Sequence, residues 1–267
     1  MIGLFLGDCD FSEIVLKKIR KLNKKYFIID FSKNNKFKKD INSHKISIGK
    51  FGKIISLIKK KKSKKVLFAG KIAKPKFSTL RLDLKGIYYM PSVIKAAKLG
   101  DAAIIKSIIK ILANEGIKVI NSISFNSELA LKTGNYTKLK PTKKDIQSIK
   151  KGVLYFNKLN SLDHVQALIV KDDKIIVTEG NQGTKKMLSK IKKKLGGILI
   201  KLPKKKQDLR MDLPTIGVHT LKDCKKYGIK GIILKNKKNI FLDKAKCLSF
   251  ANKNKIFIKV IWKKFLF

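Results

Sequence analysis

Three short apolar runs, IGLFL at 2–6, YFIIDF at 26–31 and VLFAG at 66–70, punctuate the first seventy residues, and between them lie segments with helical spacing of apolar positions. Continuous apolar strands of that length are buried on both faces, which requires helices above and below a parallel sheet. The opening reads as a strand (Ile2 to Leu6), a turn (Gly7 to Asp10), an amphipathic helix (Phe11 to Leu22) and a second strand (Tyr26 to Phe31), a βαβ unit. A strand at Lys45 to Ile48 and a helix from Phe51 through the lysines at 59–65 continue the alternation, and VLFAG follows. The run from Gly100 to Ile120 gives a helix, a glycine stop at Gly116 and another strand.

The composition turns polar across residues 131–145, and Pro141-Thr142 marks a helix start, so the linker falls there and the expected domains are 1–133 and 134–267. The second half offers a helix to about Leu159 and two apolar strands around an Asp172-Asp173 turn. A helix from Thr184 and the strand GGILIKLP follow. Beyond them come a helix to Tyr227, strands GIIL and NIFL about a KNKKN turn, a helix and a terminal strand KIFIKVIW. The fold class is α/β: a parallel N-terminal domain followed by a mixed α/β, or α+β, domain.

The formal charge of +46 would ordinarily suggest nucleic acid, an anionic membrane or a phosphorylated ligand. Only three of the 64 basic residues are arginine, and the excess of Lys, Ile and Asn resembles genome-wide A+T bias, so charge alone separates none of these partners. An arginine kept in such a chain points to two-pronged anion recognition. The lysine runs at 59–65, 192–194 and 204–206 lack interleaved aromatics, which argues against a stacking platform for single strands. Cys9, Cys224 and Cys247 form no CxxC or Cys/His zinc pattern, and His44, His164 and His219 share no spacing. Acidic residues at 8 and 10 interrupt the first apolar run, and no run reaches 18 apolar residues, so a cytoplasmic protein with peripheral membrane contact is expected.

Lysine stops at KQDLRMDLPTIG, residues 206–217. Asp208, Arg210 and Asp212 alternate, and on an extended chain would share one face before Leu213-Pro214 bends it into a helix start at Thr215. Carboxylates beside a guanidinium suit Mg²⁺ next to a phosphoryl group, with a structural ion pair as the plain alternative. Gly7-Asp8-Cys9-Asp10 lies where a βαβ fold cradles phosphate but lacks GxGxxG, and Asp10 serves equally as an N-cap. In the loop 69–86, Gly70 permits close approach, while Lys71, Lys74 and Arg81 offer cations. Gly100-Asp101 reads as another helix cap.

QDLRMDLPTIGVHT, with GKFGKI (49–54), FAGKIAKPKF (68–77), Gly100-Asp101 and QGTKKML (182–188), resembles the LpxI family of UDP-2,3-diacylglucosamine pyrophosphatases. The resemblance implies a Rossmann-like N-terminal domain, a distinct C-terminal domain, and a lipid-linked UDP-sugar held between them. It further implies release of UMP and lipid X by attack at the α-phosphorus with Mg²⁺ or another divalent cation. By match to the family's DLPT(I/V)G run the essential aspartate is Asp212; Asp208, Arg210 and Gln207 match the positions before it, and Gly70, Asp101 and Thr184 match further motif positions. Expected catalytic residues are therefore Asp212, Asp208 and Arg210, the two aspartates also as metal ligands. Expected substrate contacts are Gly7, Asp8, Gly70, Lys71, Asp101, Thr184, Lys201, Gln207 and Thr215. The sequence departs from the family at Gly7-Asp8-Cys9, at Ala102 where the family has a second Asp of GDD, and at Gln182 and Lys185, which replace the two acids of EGTD. Asp212 is untouched, its role as metal ligand or water-activating base stays open, and a homodimer is expected. The rival readings are a non-catalytic nucleic-acid-binding α/β protein and a relative that binds the nucleotide lipid without turnover.

Overall fold

The computed structural model describes residues 1–159, 165–180, 182–191, 196–204 and 207–262. His164 and most of the lysine runs at 192–194 and 204–206 lie outside them. The chain divides into two compact units, Met1–Ser127 and Glu128–Phe267.

In the first unit β1 (Ile2–Leu6), β2 (Tyr26–Asp30), β3 (Ser43–His44), β4 (Lys65–Ala69) and β5 (Lys118–Ile120) form an all-parallel sheet in the order β3-β2-β1-β4-β5. Helix α1 (Asp10–Lys21) buries Phe11, Val15, Leu16 and Ile19, the i, i+4, i+5, i+8 set expected of a helix laid on a sheet. Helix α2 (Phe51–Lys60) buries Ile54, Ile55 and Ile58 and stops where Lys62 takes φ 49° and Ser63 N–H donates to Ile58 O. It is therefore five residues shorter than the lysine run suggested. The third strand pairs at Ser43–His44 rather than Lys45–Ile48, because Ile28 N–H takes Asn42 O and sets the register two residues earlier.

Helix α3 (Leu84–Lys98) is an addition, spanning a stretch in which Pro91 and adjacent tyrosines obscure the helical pattern. Its N-cap Asp83 accepts from Gly86 N–H at 2.8 Å, and also from Gly52 and Lys53 N–H at 3.0 Å, so one carboxylate ties the starts of α2 and α3. Helix α4 (Asp101–Asn114) follows from Gly100, which occupies the cap position at φ 104°; Asp101 is the first helical residue, not the cap.

The second unit is built on a six-stranded mixed sheet. In chain order its elements are β6 (Gly134–Asn135), α5 (Lys143–Lys158), β7 (Ala167–Lys171), β8 (Lys174–Thr178), α6 (Gly183–Ser189) and β9 (Ile198–Lys201), then β10 (Thr215–Ile216), α7 (Val218–Lys226), β11 (Gly231–Lys235), β12 (Ile240–Phe241), α8 (Lys244–Lys253) and β13 (Phe257–Ile261). The sheet order is β6-β13-β11-β9-β7-β8, with β10 and β12 paired separately. Alternation sorts its two faces: Leu168, Val170, Ile198, Ile200 and Ile233 pack on Ile149, Val153 and Phe156 of α5. Ile169, Leu199, Ile232 and Leu234 meet Met187 and Leu188 of α6, Leu221 and Cys224 of α7, and Cys247 of α8. Thr142 and Asp145 close a capping box at the start of α5, as Pro141-Thr142 predicted. Asp172 and Asp173, both at positive φ, turn the β7–β8 hairpin.

Glu115 ends α4, where its charge opposes the helix dipole. Lys59 Nζ and Tyr89 OH, each at 2.8 Å, together with Lys85 Nζ, offset that cost and bind α2, α3 and α4 to one carboxylate. Those bonds, first from Lys59 and then from Lys85, hold the Glu115 pKa down at about 2. A folded pKa below the unfolded one means stability that is complete above the ordinary carboxylate range and lost as pH falls through about 2. Glu115→Gln is expected to cost about 1–2 kcal/mol at neutral pH, since the lysine partners are half in solvent and screened, and to flatten the acid limb of urea stability measured from pH 7 to pH 2.

Candidate functional site

Strand β9 determines where the chemistry of the second unit sits. Leu199 faces α6, α7 and α8, so Lys201, two residues on, points to that same face and into the interior. Its side chain is 9% exposed, and its Nζ donates to Thr184 Oγ1 of α6 at 2.9 Å. The Thr184 hydroxyl donates in turn to Glu179 Oε1 at 2.5 Å, and Glu179 Oε2 accepts from Gln166 N–H at 3.0 Å. A buried ammonium thus reaches a buried carboxylate through one hydroxyl. Burial pulls the Lys201 pKa down; Glu179 opposes that most strongly, followed by Cys224 and Asp212.

The segment from 207 to 212 does not run extended. Met211 and Asp212 N–H both turn back to Asp208 O, at 3.2 and 3.0 Å, so Asp208, Arg210 and Asp212 occupy one tight turn rather than one face of a strand. The cause is local: Asp208 Oδ1 accepts both Arg210 N–H at 3.0 Å and Arg210 Nε at 2.9 Å, while Oδ2 accepts Arg210 Nη2 at 2.7 Å. The ion pair is the two-pronged contact expected of this arginine, made here to a carboxylate. Gln207 staples the loop, its Oε1 accepting from Lys204 N–H at 2.7 Å and its Nε2 donating to Asp212 O at 2.9 Å. Thr215 lies in β10, paired with Ile240 of β12, and the helix begins at Val218 rather than at Thr215. Pro214 O accepts from Ile240 N–H, which draws the chain into that short ladder before it can coil.

In the first unit, four expected contacts meet at the carboxyl ends of β1 and β4, where the connections reverse direction across the sheet. Asp8 and Lys71 exchange backbone hydrogen bonds at 2.9 and 2.7 Å, and this pairing holds the chain extended past Gly7. Helix α1 consequently starts after Cys9, so Asp10 is its first residue and caps nothing. The buried Ser12 hydroxyl lies 2.8 Å from Gly7 O and 2.9 Å from Ala69 O. Gly70, at φ +88°, leaves no room for more: a Cβ there would stand 2.0 Å from Ser12 Oγ. Asp8 Oδ1 accepts from Lys33 N–H at 3.2 Å, so the β2 loop joins the cluster. Asp101 stands apart, exposed, with Lys74 Nζ at 3.6 Å. His44 lies in β3 and His219 on α7, in different units.

Glu179 and Asp30 were not singled out from the sequence. Glu179 follows β8 without a motif of its own, and its one signal is that acids are scarce, 18 in the whole chain. Asp30 ends β2 fully buried, and its carboxylate accepts from Ser32 N–H and Oγ and from Phe37 N–H, shaping its own loop.

Among family descriptions, the LpxI N-terminal domain matches residues 1–129 and the LpxI C-terminal domain matches residues 132–259. The chain belongs to the LpxI family. A relative from Caulobacter vibrioides, named UDP-2,3-diacylglucosamine pyrophosphatase LpxI, is 29% identical over 224 residues, covering 80% of each chain. Within this LpxI chain the buried relay Lys201–Thr184–Glu179 and the stapled loop carrying Asp212 both fall inside the C-terminal match.

Among the described residues no three His, Cys, Asp or Glu side chains cluster as a ready metal cage. Mg²⁺ commonly takes only one or two carboxylates and completes its shell with substrate phosphates and water, and a carboxylate at Asp212 fits that mode. Asp208 already accepts three bonds from Arg210 through its two carboxylate oxygens.

Lys201→Met would leave the Glu179 carboxylate buried without its cation. A loss of about 3 kcal/mol in urea unfolding is expected, with most of it restored in the double variant Lys201→Met/Glu179→Gln.

Proposed function

We propose that this chain hydrolyses the diphosphate of UDP-2,3-diacylglucosamine, releasing UMP and 2,3-diacylglucosamine 1-phosphate in lipid A biosynthesis. The observation that carries the reading is the match of residues 132–259 to the LpxI C-terminal domain, within which Lys201 is buried and bonded through Thr184 to Glu179. The named activity of the Caulobacter relative supports it. A buried cation held with incomplete compensation is costly for stability, and a bound diphosphate supplies the missing negative charge.

Asp212 orients the attacking water and accepts its proton, or holds the metal, at the α-phosphorus. Mg²⁺, held by Asp212 with Asp208 in support, would neutralise charge on the diphosphate. Arg210 exchanges its bidentate carboxylate partner for phosphate oxygens, which have the same two-acceptor geometry. Thr184 keeps Lys201 aimed, Gln207 holds the Asp212 backbone, and the Gly7–Asp8 and Gly70–Lys71 turns offer backbone at a sheet switch point where nucleotides bind. Asp101 and Thr215 complete the proposed contacts. The protein works on the cytoplasmic side at an anionic membrane surface, with homodimer formation checked by sedimentation. No helix among the described residues is long and apolar enough to cross a membrane.

Asp212→Asn keeps the shape and removes the charge. Release of UMP is expected to fall by about 10²–10⁴-fold, without loss of fold by circular dichroism. In ¹⁸O-water the wild-type label should enter UMP; label chiefly in the sugar phosphate would place the attack at the wrong phosphorus. Arg210→Lys retains charge but not the paired bonds, so turnover should drop by about 10-fold or more, and an unchanged rate would reduce Arg210 to a generic cation.

A further inference from the structure

Helix α3 packs one face and leaves the other apolar. Gly86, Met90, Val93 and Ala96 are buried, with Ile111 of α4 against them and Phe51, Phe77 and Leu82 packed around. The opposite side carries Leu84 (87% exposed), Ile87, Tyr88 (77%) and Ile94, and Leu99 at the cap extends it. Five of the thirteen exposed large apolar side chains among the described residues thus fall on one helix of the chain. At 3.6 residues per turn they share about 140° of arc with Pro91, Lys95 and Lys98. That is a stripe, where scattered single exposures would be unremarked.

We propose that this stripe of α3 is the surface by which the protein docks on an anionic bilayer, the helix lying in the headgroup plane with Leu84, Ile87 and Tyr88 inserted and Lys95 and Lys98 on lipid phosphates. Charge complementarity selects that occupant. Between Lys71 and Leu99 the chain has seven Lys or Arg and a single acid, Asp83. Asp83 is spent on three backbone N–H groups, Lys85 is paired with Glu115 and Lys74 with Asp101, so Lys95 and Lys98, which share the stripe, carry its charge. A second copy meeting the same face would bring Lys95 and Lys98 against their own counterparts, an unfavourable like-charge contact. An anionic lipid surface instead attracts each lysine near it, and apolar side chains flanked by lysine stems suit the boundary between headgroup and acyl chain. Tyr88 fits the same depth, with an apolar ring and a polar tip. The choice of a bilayer over other anionic surfaces rests on the proposed lipid-linked substrate.

The test is co-sedimentation of the full chain with phosphatidylcholine vesicles, with and without phosphatidylglycerol. The wild type is expected to bind the anionic vesicles in a salt-sensitive manner. The surface variant L84S/I87S/Y88S should bind at least ten-fold more weakly, with unchanged circular dichroism and unchanged turnover of substrate dispersed in detergent. K95E/K98E should bind more weakly and lose part of the salt dependence. Equal binding by the wild type and the triple variant would overturn the proposal in favour of diffuse lysine charge. So would a wild-type dimer that the triple variant breaks, with no vesicle binding by either. Vesicle binding that depends on the stripe, in a protein that releases no UMP, would uphold the surface and refute the proposed activity alone.

Discussion

Lys201 carries an ammonium into the interior at the end of β9, and the arrangement of the second unit's polar groups follows from what that costs. A lone buried cation would lose its proton or unfold its surroundings. Here Thr184 accepts from it and donates a hydrogen bond to Glu179, whose other oxygen is bound by the backbone at Gln166. Three elements, β9, α6 and the end of β8, are thereby required to meet. The hydrophobic face formed by Ile169, Leu199 and Ile232 excludes water around them, strengthening each bond and making each partner harder to lose. The loop bearing Asp212 leaves β9 directly after Lys201 and is stapled by Gln207.

The first unit is organised by a different constraint. Its parallel strands β1 and β4 end side by side, and the backbone pairing of Asp8 with Lys71 closes the two turns on each other around Ser12. Room is the limiting quantity, and Gly70 is the residue that supplies it. At the turn Gly7-Asp8-Cys9, Asp8 directs its carboxylate to the Lys33 amide. Cys9 takes the strained cap position at φ 106°.

Much of this was legible along the chain. Continuous apolar runs marked β1, β2 and β4, and the Asp172-Asp173 turn and the Thr142 cap stood where local chemistry put them, since caps and tight turns depend on three or four adjacent residues. The lysine-free stretch drew attention to Asp208, Arg210 and Asp212 because composition made it conspicuous. Spacing of two puts those side chains on one face only if the chain is extended, and it says nothing about a side chain that bonds its own backbone two residues on. Helix α3 went unseen because Pro91 and the exposed apolar residues break the polar-out pattern that betrays a surface helix.

By itself the sequence determined the class of fold, the family and the residues of the 207–217 segment, all of which reside in local order: strand lengths, caps, turn residues and motif identity. Only the tertiary structure decided that Glu179 belongs with Lys201, that Asp208 is engaged by Arg210, and that α3 turns an apolar stripe outward. The first depends on which residues far apart in the chain come within about 3 Å, the second on how a turn folds back on its own backbone, and the third on which face of an element stays wet. The long-range contact and the exposed face are not carried by neighbours in sequence; both are set when the sheet order and the burial of each helix face are complete.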